Sequence, residues 1–139
     1  MRPQGWEFRL ADAIRAGDGK SWEWGKHDCG NFARDCAAAV LDGPTPWDGF
    51  FTNYSTEVGA GKLITRHGGL KAILDTVERV PVNSAQRGDL AVVRGNGEEP
   101  DENGQLAVGV IDGKHIVFAA KGGLARWPVS LCEAAWSVK

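Results

Sequence analysis

The cysteine at position 29 carries the strongest chemical signal in the sequence. It follows Asp28, and the apolar stripe of Phe32, Cys36 and Val40 predicts an amphipathic helix that begins at Cys29. Asp is a favoured N-cap residue, and the unpaired N–H groups and positive dipole end of a first helical turn favour a thiolate. Cys29 is therefore a candidate nucleophile, although a free cysteine is more often a small buried apolar side chain.

Three histidines could supply a base for this thiol, but none has a spacing that requires that role. His27 lies two residues before Cys29 and flanks the N-cap, a position that favours local packing or hydrogen bonding. His67 precedes a Gly-Gly pair, which is typical of a helix C-terminus where an imidazole meets free carbonyls and the dipole. His115 follows a predicted turn, so we expect it to be exposed on a sheet.

The other candidate ligands do not predict a metal or cofactor site. Cys36 lies about 10 Å along the helix from Cys29, too far to share a metal, and is expected in the core. Cys132 is isolated and is expected in the core or at the surface. The sequence has no Cys-x-x-Cys or His-x-x-x-His pair, and the acidic segment 95–104 lacks the spacing of an EF-hand. We therefore expect a solvated loop there, with no metal and no cofactor.

Composition and charge exclude several classes of protein. The sequence has 139 residues, of which 42% are hydrophobic and 24% charged, as expected for a globular protein with a single domain over residues 1–139. A net charge of -2 gives no basic surplus for binding nucleic acid. No apolar run approaches the roughly 20 residues of a membrane span, and the first residues do not form a signal peptide. Three cysteines, an odd number, favour reduced thiols in a cytosolic protein.

The first half of the sequence reads as helical. Apolar residues from Trp6 to Ile14 have helical spacing, and Gly17-Asp18-Gly19 ends this helix. The helix that begins at Cys29 ends at Asp42-Gly43-Pro44. Residues 56–66 and 69–77 predict two shorter helices, and the alternation over Ser21–Gly25 indicates a short extended segment.

After Pro81 the period changes to two, which is typical of strands. Strands are predicted over the segments 89–94, 106–111, 115–120, 124–129 and 134–138, and Asp112-Gly113 is a hairpin turn signal. Helices followed by a meandering antiparallel sheet give an α+β fold, with the N-terminal helices packed on the C-terminal sheet. The six Trp residues are expected mainly in its core.

Several motifs in their order and spacing resemble the NlpC-type cell-wall peptidases. They are the string Trp24-Gly25-Lys26-His27-Asp28-Cys29-Gly30-Asn31-Phe32-Ala33, then Gln86-Arg87-Gly88-Asp89-Leu90-Ala91-Val92-Val93, then Val108-Gly109-Val110-Ile111-Asp112-Gly113. The short Trp-Gly-x-x-Asp-Cys motif, Tyr54-Ser55-Thr56 and Gly122-Gly123-Leu124-Ala125-Arg126 are similar to a phage branch of that superfamily, encoded among tail-tip genes. The resemblance runs from about Trp6 to Val129.

The resemblance implies a papain-like α+β fold and a site that is only partly kept. The family's nucleophile matches Cys29, preceded by the helix N-cap Asp28. Its general base, a His at the start of a strand, matches Ala107, and its third polar residue falls at Phe118 or Ala119. Losing a general acid–base typically costs on the order of 10²–10⁴ in rate, so the resemblance implies a fold kept without its hydrolase.

Two functions remain open at this point. In the first, the chain is a structural part of a bacteriophage or prophage tail tip, made in the bacterial cytoplasm and carried in the virion, with other tail-tip proteins as partners. In the second, it is an active cysteine endopeptidase or amidase of peptidoglycan, in which His67, His115 or His27 replaces the missing base. A thiol-dependent acyltransferase or a peptide-binding module is a further alternative.

Overall fold

The computed structural model describes residues 1–95 and 97–139. In these residues the predicted α+β architecture is confirmed, with four α-helices followed by six antiparallel strands. The helices are α1 (Trp6–Asp18), α2 (Cys29–Leu41), α3 (Glu57–Arg66) and α4 (Leu70–Leu74), and the strands are β1 (Arg79–Val80), β2 (Leu90–Arg94), β3 (Leu106–Asp112), β4 (His115–Ala120), β5 (Gly123–Pro128) and β6 (Ala134–Trp136). None of the described helices combines the length and the apolar character needed to cross a membrane.

The two long helices form because each has one apolar side, and those sides face the sheet and each other. α1 buries Leu10 and Ile14 and packs along α2. α2 buries one continuous stripe: Phe32, Ala33, Cys36, Ala37 and Val40. The core position predicted for Cys36 is therefore confirmed. α2 ends where Asp42 adopts a left-handed conformation, with φ of 54°.

Two boundaries in the middle of the chain differ from the sequence prediction. α4 ends at Leu74 instead of 77, and it is followed by the short strand β1, which no sequence pattern indicated. Asp75 explains both differences, because its carboxylate accepts hydrogen bonds from Arg79 (2.7 and 3.0 Å) and from the indole of Trp136 (2.9 Å). These bonds connect the end of α4 with β1 and with β6, its neighbour in the sheet.

The sheet has the strand order β1-β6-β2-β3-β4-β5. The meander predicted from the period-two pattern is confirmed for β2 to β5, and the predicted Asp112-Gly113 turn joins β3 to β4 with Gly113 at φ of 66°. β6 departs from the meander, since it returns to the far side of β2 and pairs there. The extended segment indicated for Ser21–Gly25 is reduced to one bridge between Glu23 and His27.

Both faces of the sheet are covered, which explains why its central strands are almost entirely apolar. The face toward the helices includes Val92, Val108 and Trp136. The opposite face includes Val93, Ala107 and a smaller apolar cluster around them. Of the six Trp residues, Trp47, Trp127 and Trp136 are buried as predicted, whereas Trp6, Trp22 and Trp24 keep partial exposure.

Gly17 and Gly61 give a matched test of the packing of α1 on α2. Both lie inside helices, where Ala is normally favoured over Gly by roughly 0.5–1 kcal/mol. A Cβ at Gly17 would lie 2.5 Å from Cε1 of the buried Phe32, whereas a Cβ at Gly61 meets no atom within 4 Å. We therefore expect Gly17→Ala to lower the free energy of unfolding by about 1–3 kcal/mol, and Gly61→Ala to raise it by about 0.5–1 kcal/mol.

Urea unfolding followed by circular dichroism measures both changes. A Gly17→Ala protein as stable as the wild type would contradict the close contact between Gly17 and Phe32.

Candidate functional site

The Asp28 carboxylate is buried at the start of α2 and accepts four hydrogen bonds. Its side chain is the predicted N-cap, since Oδ1 accepts from the Asn31 N–H (2.9 Å), and the same oxygen accepts from Asn31 Nδ2 (3.0 Å). Oδ2 accepts from the Gly25 N–H (2.9 Å) and from the Tyr54 hydroxyl (2.5 Å). All four donors are neutral, and within the described residues Asp28 has no ion pair with Lys, Arg or His. The carboxylate therefore joins three segments of the chain.

The segment 50–54 packs closely against the start of α2 and the loop before it. This packing requires glycine at positions 25 and 30. The Phe51 carbonyl accepts a second hydrogen bond from Asn31 Nδ2 (2.8 Å). A Cβ at Gly25 would overlap the Tyr54 carbonyl oxygen, and a Cβ at Gly30 would lie 2.5 Å from the Phe51 ring. Both glycines of the sequence motif around Cys29 thus permit the close approach of segment 50–54.

Cys29 is the first residue of α2, as predicted, and it is half-buried between the two apolar clusters of the sheet. Burial raises the pKa of its thiol to about 11, and the negative charge of Asp28 acts in the same direction. Hydrogen bonding from the backbone of Val108 and Gly30 lowers the pKa, but by less. Burial therefore outweighs the start of the helix, and Cys29 is a neutral thiol at neutral pH.

The structure places no histidine at the Cys29 sulfur. In the described part of the chain, no imidazole forms a hydrogen bond with that sulfur, and no histidine is among the groups that shift its pKa. His67 is the C-cap of α3 and packs edge-on against Phe50, with ring centroids 4.8 Å apart. His115 is exposed at the start of β4, where it pairs with Asp112 and Pro128. Both positions agree with their sequence predictions.

The positions matched to the other two catalytic residues are apolar and buried. Ala107 lies on β3, in the smaller apolar cluster that Cys29 also contacts, and its neighbour Val108 provides backbone hydrogen bonding to the sulfur. Phe118 packs edge-on against Trp127 at 4.8 Å, and Ala119 is 2% exposed. None of these side chains can accept a proton from a thiol or orient an imidazole.

His27 is packed locally, as predicted, but its side chain is incompletely satisfied. It is 7% exposed, its backbone pairs with Glu23, and its ring lies edge-on to Phe32 with centroids 6.3 Å apart. Nδ1 has no hydrogen-bond partner within the described residues. Burial lowers the pKa of His27, the charge of Lys20 lowers it further, and Asp35 and Asp28 raise it less. His27 is therefore a neutral, buried imidazole.

Two residues of this site were missed by sequence reasoning. Asn31 is the third residue after the N-cap, and an N-cap side chain commonly accepts from the N–H at that position, so Asn31 could have been expected near the cap. Tyr54 lies 26 residues from Asp28, and no local pattern indicates that its hydroxyl reaches the carboxylate. Burial and the hydrogen bond to Asp28 raise the pKa of Tyr54, so its phenol is a hydrogen-bond donor and not a base.

The hydrogen bonds of Asp28 fix the backbone around Cys29, but the described residues offer no group for proton transfer at the Cys29 sulfur. Within the described residues no base hydrogen-bonds to the thiol, and the nearby carboxylate already accepts bonds from two backbone N–H groups and two side chains. The described residues also contain no group of three or more His, Cys, Asp or Glu side chains that could hold a metal ion. In particular, the acidic residues between 97 and 104 do not form such a group.

A buried neutral His27 makes stability depend on pH in one direction. The unfolded chain binds a proton at this side chain near the ordinary pKa of 6.5, whereas the folded chain binds it only at lower pH. The contribution is fully present above the unfolded pKa, so the free energy of unfolding should fall as pH is lowered below 6.5. The loss is at most about 1.4 kcal/mol per pH unit.

Denaturant unfolding of three proteins over this pH range measures the effect. His27→Gln should remove this part of the slope, and His115→Gln, at an exposed position, should keep it. The same slope in wild type and His27→Gln would show that another group causes the pH dependence.

Comparisons with known proteins identify a family and do not assign an activity. No curated protein matches the sequence at a significant level. A family model described as a domain of unknown function, DUF6950, matches residues 1–138. Because this match covers nearly all of the sequence, the chain belongs to the DUF6950 family.

Proposed function

We propose that this chain is a structural component of a bacteriophage or prophage tail tip, built on an NlpC-type papain-like fold that no longer hydrolyses its substrate. The loss of hydrolysis in this proposal rests on the state of Cys29, a neutral thiol whose pKa is raised to about 11 and which has no imidazole beside it in the described residues. The tail-tip role rests on the resemblance of the Trp-Gly-x-x-Asp-Cys motif, Tyr54-Ser55-Thr56 and Gly122-Gly123-Leu124-Ala125-Arg126 to the phage branch. A hydrolase of this type needs a thiolate and a proton donor for the leaving amine.

The arrangement of the elements supports the papain-like part of the proposal. A cysteine at the start of a helix faces an antiparallel sheet, and the backbone next to Ala107 hydrogen-bonds to its sulfur. This is the relation that the motif order implies for a nucleophile and the strand that would supply its base. The nucleophile position is still a cysteine, Cys29, whereas the position of the base is Ala107.

The size of the expected rate loss favours a non-catalytic role. With a pKa of about 11, only about 10⁻⁴ of the thiol is ionised at pH 7. The absence of a general acid–base lowers the rate by a further factor on the order of 10²–10⁴. These two losses do not multiply fully, because nucleophile and base act as one unit, but either one alone removes useful turnover.

A structural component does not need a catalyst, but it needs a surface whose shape is fixed. Asp28, Asn31 and Tyr54 connect α2 with segments 25–28 and 50–54 through buried hydrogen bonds. These bonds keep the start of α2 and its flanking loops in one fixed shape. The proposed partners are other tail-tip proteins, and the proposed location is the virion.

The test uses a strain that encodes this chain and releases particles that can be purified. We expect mass spectrometry to find the chain in the tail fraction, and its deletion to abolish infectious particles. Cys29→Ala should restore infectivity as fully as the wild type, because the thiol has no chemical role. Cys132→Ala serves as the matched control for loss of a partly exposed thiol.

Two results would overturn this proposal. If the chain is absent from purified particles, the tail-tip assignment is wrong. If Cys29→Ala enters particles but loses infectivity, and the purified wild type releases peptides from cell wall while the variant does not, the chain is a working peptidoglycan hydrolase instead.

A further inference from the structure

Among the helices of the described residues, α3 has the fewest buried residues for its length. Ala60 is the only residue of α3 that is buried in the described structure, and Val58 is 67% exposed. We define the α3 outer face as the residues that line a shallow surface depression of about 550 Å³: Val58, Gly61, Lys62, Thr65 and Arg66. Gly61 has no side chain and Thr65 has a small one, and a Cβ at Gly61 would meet no atom within 4 Å, so a partner can approach the helix closely.

The cations of this face lack the ion pairs that the other arginines have. Of the nine arginines in the sequence, eight pair with a carboxylate within ion-pair distance. Arg66 is the exception, and in the described part of the chain neither Arg66 nor Lys62, one turn before it, pairs with a carboxylate. The single carboxylate of α3, Glu57, lies in its first turn. The face is therefore positive, with an exposed apolar residue at one end.

The same chain carries a surface of the opposite charge. We define the acidic turn as residues 97–102, which include four exposed carboxylates: Glu98, Glu99, Asp101 and Glu102. Its backbone is fixed to the end of β2, since Gly95 bridges Pro100 and the Asp101 N–H donates to the Arg94 carbonyl (3.0 Å). The Gly104 N–H then donates to the Asp101 carbonyl (2.9 Å). The carboxylates are thus carried on a built turn at the surface.

We infer that the acidic turn of one copy of this chain binds the α3 outer face of a second copy. Arginine and lysine on the face meet carboxylates of the turn, and Gly61 and Thr65 allow the turn to lie close to the helix. The two surfaces differ, so the contact is head-to-tail and generates a ring or a filament instead of a closed two-fold dimer. This self-association goes beyond the proposed function and does not require a tail.

The contact is expected to be weak and sensitive to salt. One helix face and one turn bury much less area than the roughly 1,200–2,000 Å² of a stable interface. Salt screens the attraction between exposed charges, with a Debye length of about 10 Å at 0.1 M salt. Association should therefore appear at high protein concentration and low ionic strength, and it should weaken steeply when salt is added.

Sedimentation equilibrium of the purified full chain over a range of protein concentrations tests the inference. At low ionic strength we expect the weight-average mass to rise with concentration to at least that of a dimer, and to return to the monomer mass at about 0.5 M salt. The double variant Lys62→Glu/Arg66→Glu should remain monomeric. The triple variant Glu98→Lys/Glu99→Lys/Glu102→Lys should also remain monomeric, since its turn then carries the sign of the face.

An equimolar mixture of these two variants should associate again, because each then presents to the other a turn and a face of opposite sign. The matched control is Lys114→Glu/Lys139→Glu, which changes the net charge as the α3 variant does but lies at two exposed positions outside both surfaces, the turn after β3 and residue 139, and it should associate like the wild type. A wild type that stays monomeric at every concentration, or an association that both charge reversals leave unchanged, would overturn the inference.

Discussion

The Asp28 carboxylate is the point at which three separate segments of the chain meet. It caps α2 and accepts hydrogen bonds from the Gly25 N–H and the Tyr54 hydroxyl. Among the described residues it has no cationic partner. A buried carboxylate is tolerated only when its oxygens are hydrogen-bonded, and hydrogen bonds to charged groups contribute about 1.5–3 kcal/mol each. The conformation of the motif around Cys29 therefore depends on this one side chain.

The same arrangement sets the chemistry of the neighbouring thiol. Burial of the sulfur is the main cause that raises the pKa of Cys29, the negative charge of Asp28 raises it less, and the backbone donors near it do not compensate. A papain-like site balances such effects with an imidazole that takes the proton. Here Ala107 adds only apolar surface, so burial keeps the thiol protonated and the charge of Asp28 acts in the same direction.

The sequence predicts the local features of this protein well and its long-range contacts poorly. The start of α2 at Cys29, its cap at Asp28 and the hairpin at Gly113 all follow from the chemistry of residues that are close in sequence. The early end of α4 and the strand β1 depend on the bond between Asp75 and Trp136, 61 residues apart. No periodicity carries that information.

The candidate site shows the same division. Cys29 could be located from its place after an N-cap, and the apolar character of position 107 can be read directly. The role of Tyr54 could not be foreseen, because only the folded chain brings its hydroxyl to Asp28. The pKa of the thiol was likewise out of reach, since the helix start favours a thiolate and burial opposes it. Only the structure shows that burial prevails.

The most direct test of the account is the pH dependence of Cys29 alkylation, measured for the peptide that contains it by mass spectrometry on the folded protein. For a thiol with a pKa of about 11, the rate constant should rise about tenfold per pH unit without a plateau up to pH 10. A rate that is already constant between pH 6 and 8 would reveal a thiolate at neutral pH, and it would contradict the proposal that this chain does not hydrolyse peptides.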